Sequence, residues 1–193
     1  MYTTEIFETT ISVEEYLQDY VDVETFLNAC KQCPNYDCVW SCPSYHFDVL
    51  DYWRKYQILQ LTAVKINFDK NMLIRTYTQE ELDQILKHSI SLEKQKLSEM
   101  LFKREEKYPG SISLSAGSCS YCLNGCTRTS GQPCRYPDKL RYSIESLGGN
   151  VGLTIERLMK LRLEWIEEGH LPPHFGDYEE KSVNKIFYDK NGR

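Results

Sequence analysis

Eight cysteines fall into two quartets, Cys30, Cys33, Cys38 and Cys42, then Cys119, Cys122, Cys126 and Cys134, with none between Cys42 and Cys119. A thiolate is a soft, charged ligand. Four of them on a short loop suit zinc, copper(I) or an iron–sulfur cluster, and exclude magnesium and calcium. The first quartet reads C-x2-C-x4-C-x3-C-P and the second C-x2-C-x3-C-x7-C. Structural zinc is usually held by two C-x2-C knuckles far apart in sequence. Here each quartet has one C-x2-C followed by single cysteines, an arrangement that wraps a bulky cluster more easily. Bacterial ferredoxins use C-x2-C-x2-C-x3-C-P. The ending Cys38-x3-Cys42-Pro43 is the same, with a middle gap longer by two. The spacing therefore favours one or two [4Fe–4S] clusters, with zinc as the alternative. Trp40, Tyr36, Tyr45 and Phe47 interleave the first quartet, and Tyr121 and Tyr136 flank the second. Such cover controls water access and tunes a cluster. Taken singly, each ring reads more simply as packing.

Other thiol chemistries fit less well. Disulfides need an oxidising compartment. A thioredoxin-type pair at Cys119 and Cys122 needs a helix starting at the first cysteine, and Gly125 with the Thr127–Gly131 stretch argues for a loop. The C-x3-C-x2-C of radical chemistry with S-adenosylmethionine is missing, because Tyr45 and Thr129 stand where its third cysteine belongs. No phosphate-cradling glycine motif is present. Among the histidines, His46 follows Cys42 by four residues and is an alternative ligand, while His88, His170 and His174 read as ordinary. Ser143 reads as a helix cap and Glu145 as solvated.

The elements that must position the thiols are legible around them. Residues 2–11 read as a strand. Ser12 with Glu15 opens a short helix as a capping box. Asp22 caps a second helix whose end delivers Cys30 into a loop over 30–47. Residues 56–68 read as another strand. Thr78 with Glu81 is a further capping box, and Leu82, Leu86, Ile90, Leu97, Leu101 and Tyr108 mark one face of a helix over 79–107. Asp83 with Lys87 and Glu99 with Lys103 are acid-first pairs on its wet side, and the charge run Glu93–Lys107 reads as a solvated face. Pro109-Gly110 ends it. A strand over 111–116 feeds the second cysteine loop, 117–137. Short helices around 143–148 and 151–160, a loop at 170–174 and a strand near 183–188 complete the chain. Strands and helices alternate irregularly, so the expected class is α+β: a small mixed sheet with flanking helices and two cysteine-rich metal-binding loops, in a single domain over 1–193.

Net charge is −5 and the pI near 5.5. An acidic chain argues against a nucleic-acid binder and against a polybasic membrane-surface protein. Residues 1–16 carry four glutamates and no Lys or Arg, unlike a secretory signal, and no apolar run approaches the ~20 residues of a membrane span. The expectation is a cytoplasmic protein without nucleic-acid or membrane partners.

The segments Cys30-x2-Cys33-Pro34-Asn35-Tyr36, Trp40-Ser41-Cys42-Pro43, Ala116-Gly117-Ser118-Cys119-x2-Cys122, Pro133-Cys134-Arg135-Tyr136-Pro137 and Tyr142-Ser143-Ile144-Glu145-x2-Gly148 together resemble a family of predicted metal-binding proteins, domain of unknown function twenty-two eighty-four. The resemblance implies cysteine-bound metal, in the form of iron–sulfur, and no settled reaction. Ser44 stands where a second proline is common. Cys38 occupies a place that is often not cysteine, and the Cys122–Cys126 gap is one residue longer than usual. The functional expectation is electron transfer to a redox partner protein. The alternatives are a zinc-stabilised interaction module, or an enzyme with an open cluster iron that binds substrate.

Overall fold

The computed structural model describes residues 2–122, 124–161, 169–171, 174–175 and 184–189. Strand β1 (Tyr2–Ser12) ends where Ser12 caps helix α1 (Val13–Tyr20), its side chain accepting from the Glu15 amide. Asp22 caps α2 (Val23–Cys30) in the same way through Thr25. These short polar side chains satisfy amides that a helix start leaves orphaned. The chain continues through α3 (Val49–Trp53), β2 (Ile58–Phe68), α4 (Lys70–Leu73) and the long α5 (Gln79–Lys107), which begins with the complete Thr78–Glu81 capping box. Then come β3 (Ile112–Ser115), α6 (Val151–Met159), β4 (His174–Phe175) and β5 (Asn184–Asp189).

The sheet runs β1-β2-β5-β3, and β4 pairs with the Ile66–Asn67 end of β2 beyond β5. The α+β class stands. Among the described residues every ladder is antiparallel, so the mixed character expected from the sequence is confined to one parallel bridge, Ser115 with Ser143. The segment expected to be a loop at 170–174 ends in β4; Pro172 and Pro173 lie outside the described residues.

Alternation along β2 divides the core. Leu59 and Leu61 point to one face, with Tyr16, Trp53, Leu114, Ile144 and Leu147. Val64, Ile66 and Phe68 point to the other, against Leu82, Leu86, Ile90, Leu97 and Leu101 of α5. The sheet thus lies between α5 and a layer of short helices, and burial of these large side chains holds the layers together.

One expectation for α5 fails. Glu93 and Lys94 are buried, and Arg104 and Glu105 are largely enclosed, so the charge run is not simply a solvated face. Glu93 accepts from the Tyr2 hydroxyl at 2.9 Å and from Lys96 Nζ at 2.7 Å. Arg104 pairs with Glu8, and Glu105 with Arg141. The expected wet-side pairs are replaced by amide contacts: Asp83 accepts from Gln79 and Glu99 from Gln95.

Candidate metal centre

The first cysteine loop hangs from the end of α2. Cys30 is its last residue, and the Cys33 amide donates back to the Cys30 carbonyl at 2.9 Å. Tight turns follow, with the Cys38 amide on Asn35 O and the Cys42 amide on Val39 O, both at 3.1 Å. Asp37 takes a left-handed conformation (φ 55°) and closes the loop by donating to Cys42 O at 2.9 Å. Cys30, Cys33 and Cys42 are half-buried and act on one another electrostatically; Cys38 is exposed.

The turn Glu145–Leu147 lies against this loop, and the Cys30 thiol points at Glu145 O, 3.9 Å away. Two glycines permit this approach. Gly148 has φ +79°, and a Cβ there would stand 2.9 Å from Val23; one at Gly149 would stand 2.4 Å from Ile144. At Gly148 no other residue fits both demands, the left-handed backbone and the close contact. Trp53 Nε1 donates to Leu147 O at 2.8 Å and ties the turn to the core.

The second loop leaves β3. Cys119, Cys122, Cys126 and Cys134 line one cavity of about 150 Å³, and its wall is completed by Asn35, Val39 and Trp40 from the first loop and by Tyr121, Tyr136 and Leu140. Among the described residues, no group of three or more His, Cys, Asp or Glu side chains is placed to hold a single metal ion. The four thiols surround a space instead of converging on a point. His46 is exposed, and it is not among the cavity's lining residues.

The two loops are docked on each other. Arg128 pairs with the Asp37 carboxylate, donates through Nε to Asp37 O at 3.0 Å, and stacks its guanidinium 4.5 Å over the Trp40 ring. Trp40 Nε1 donates to Gln132 O at 3.2 Å. Buried Ser41 is the closest link: its hydroxyl accepts from the Cys119 amide at 2.9 Å and lies 3.6 Å from Cys42 Sγ. The Arg128 hydrogen bond, with those from Ser44, holds the Asp37 carboxyl down at about 2.

A polar hub lies behind this junction. Lys94 Nζ donates to Ala116 O at 3.0 Å and Ser118 O at 2.7 Å. Both Glu145 carboxylate oxygens accept from the Gly117 amide at 3.1 Å. Glu145 keeps some exposure along its length, but its carboxylate is turned inward, so the solvated carboxylate expected from sequence is corrected. Burial raises its pKa against the pull of the Gly117 amide and Lys94. The cap residue of the turn is Ile144, not Ser143 as expected, although the Ser143 hydroxyl accepts from the Ser146 amide at 3.0 Å. Lys94 was invisible as a site residue, yet the apolar series carried a signal: its step of seven from Ile90 to Leu97 skips position 94, where the stripe should be apolar.

Burial pushes the Cys30 thiol up to about 11, with Cys42, Glu145 and Cys33 adding to the effect. Burial also raises Cys42 and Cys119, the latter against the Tyr121 amide and Lys94. Without metal these thiols stay protonated at neutral pH, so a metal must displace their protons. Amides are already aimed at the sulfurs. Asn35 N–H points at Cys33 Sγ (3.5 Å) and Tyr136 N–H at Cys134 Sγ (3.4 Å), each two residues on from its cysteine, and Tyr121 serves Cys119 in the same way. Hydrogen bonds to sulfur are a known means of tuning a thiolate-bound centre.

Comparison with curated proteins and with solved structures gives no match. The family described as "Predicted metal-binding protein (DUF2284)" matches residues 16–180, a span that contains both quartets, Lys94 and Glu145. The match covers both thiol loops, and this chain belongs to that family of predicted metal-binding proteins.

Proposed function

We propose that the two thiol sets hold iron–sulfur clusters in series and that the protein relays electrons between partners. The observation that carries this reading is Ser41, one side chain in contact with Cys42 Sγ on one side and the Cys119 amide on the other. Two centres joined through a single residue suit electron passage from one to the next. The spacing of the second quartet, one C-x2-C followed by two single cysteines, supports a cluster over zinc. A zinc ion is usually held by two C-x2-C knuckles far apart in sequence, whereas here the four cysteines of one short loop line a cavity of about 150 Å³. When bound, such clusters accept and release single electrons. Cys119, Cys122, Cys126 and Cys134 would hold the second; Cys30, Cys33 and Cys42 would hold the first, with Cys38 the outlying member. Tyr121, Tyr136 and Trp40 would limit water at the second centre.

The exposure of Cys38 favours a second reading. If it is not a ligand, one iron of the first site keeps an open position, and a substrate has a place to bind.

Anaerobic purification followed by metal and acid-labile sulfide analysis tests both. A brown protein with iron and sulfide in similar amounts, and interacting paramagnetic centres after reduction, is the expected result. A colourless protein with stoichiometric zinc and no sulfide overturns the cluster reading. A spectral change on adding substrate-like ligands would select the open iron.

A further inference from the structure

A lysine fully enclosed in a protein is unfavourable unless an opposite charge answers it. Lys94 is 9% exposed. Its ammonium is held by two neutral carbonyls, Ala116 O and Ser118 O, at the mouth of the second cysteine loop. Burial lowers the Lys94 pKa, and Glu145, Cys119 and Cys42 act in the opposite direction, one carboxylate and one cysteine from each loop. Glu145 is itself occupied, gripping the Gly117 amide with both oxygens. The segment 116–118 is therefore clamped on one side by the lysine and on the other by the carboxylate, and Cys119 follows directly.

A metal held by thiolates carries net negative charge, whether the metal is zinc with four cysteines or a four-cysteine cluster. Two such sites joined through one serine repel each other. A single cation acting on both offsets that repulsion, and it does so most strongly where water is excluded.

We infer that Lys94 is the counter-charge shared by the two thiol sites, a positioning residue that allows both to be loaded at once. It is not a ligand, and its hydrogen bonds go to backbone. Its position on the core stripe of α5 places a charge where packing alone would call for an aliphatic side chain. Loss of the charge should therefore cost the metal-loaded protein and relieve the metal-free one.

The inference rests on both thiol sets binding metal, whichever metal that is. The metal content of the unaltered chain reports that premise; only the ratio between variant and unaltered chain reports Lys94. The full chain, Lys94→Met and Lys94→Arg are purified anaerobically. Metal per chain, the rate of extraction by a chelator, and denaturant stability of the metal-free and metal-loaded forms are then compared. The expected result for Lys94→Met is extraction at least about tenfold faster, the counterpart of ~1.4 kcal/mol, with the second metal site filled only in part. Its metal-free form should be as stable as the unaltered one or more so, and Lys94→Arg should restore most of the metal. Equal destabilisation of both forms would show a backbone clamp only and overturn the inference, as would unchanged extraction. If Lys94→Met does not fold, Lys94→Gln keeps a donor for the carbonyls and drops the charge; full retention of both metals in that variant overturns the inference, and loss of one supports it.

Discussion

The two cysteine loops achieve order by opposite means. The first is braced by the body of the protein: α2 ends in Cys30, the Glu145 turn lies against it, and Trp53 anchors that turn. Its third cysteine, Cys38, is left outside. The second encloses all four of its thiols around a cavity but borrows part of the wall, Asn35, Val39 and Trp40, from the first. The comparison teaches a dependence with a direction. The first loop has much of its frame without the second, whereas the second is incomplete without the first.

Serine substitutions give the largest contrast. Cys42→Ser should abolish the first site and Cys38→Ser should leave its metal nearly intact, while Cys119, Cys122, Cys126 and Cys134 should each be required for the second. Iron and sulfide per chain measure this. Equal losses in Cys38→Ser and Cys42→Ser would erase the difference between the loops and show a closed four-cysteine first site. Metal removal comes next. Each loop is made of turns and thiols with few aliphatic residues, so its order depends on bound metal. Hydrogen exchange after chelation should rise across 30–47 and 117–137, further in the second, while the apolar stripe of α5 stays protected. Uniform loss along the chain would count against a separable metal-dependent region.

A third test concerns the exit of the second loop, where Glu105 pairs with Arg141 and accepts from the Ser113 amide at 2.6 Å. Glu105→Gln should cost about 2 kcal/mol of unfolding free energy, the order expected for charge-assisted bonds in a largely enclosed pair. Burial raises the Glu105 pKa, but Arg141 and Ser113 together outweigh it and leave the carboxyl below its ordinary 4.5. The stability it contributes is thus present above that value and is lost as pH falls through the lowered one. Denaturation midpoints of the two proteins should differ at pH 7 and converge in acid. A constant gap would remove the carboxylate from the account. The smallest effect is expected from Trp40→Ala, about 1 kcal/mol from one hydrogen bond and one stacked guanidinium. Its value lies in where it is felt: metal should be lost faster from the second site than from the first, although Trp40 belongs to the first loop.

Most of the frame was legible because its signals are local. Ser12, Asp22 and Thr78 announce three helix starts, and the apolar stripe from Leu82 to Leu101 gives the length and inner face of α5. The cysteine spacing was legible too, as were the two loops. What the sequence hid depends on contacts between distant residues. Lys94 and Glu145 look like surface charges in their own segments; only docking of α5 against the start of the second loop makes them interior. Ser41 is equally plain until Cys119 arrives beside it. The place of β5 between β2 and β3 is of the same kind, since nothing in its six residues names its neighbours.

That place bears on how the protein is made. Among the described residues β3 joins the sheet only through β5, and β3 leads straight into the second cysteine loop. The ribosome delivers β5 after the other described strands. Until it emerges, β2 presents an open edge over Ile58–Ala63, and β3 lacks its sheet partner. Open edges of this kind invite pairing with other chains, and contacts between distant residues form late. Insertion of β5 and docking of the second loop therefore fall together in time. A nascent chain halted before residue 184 should carry all eight cysteines and still present the second set loosely, so metal delivery to that set is most productive once β5 is in place.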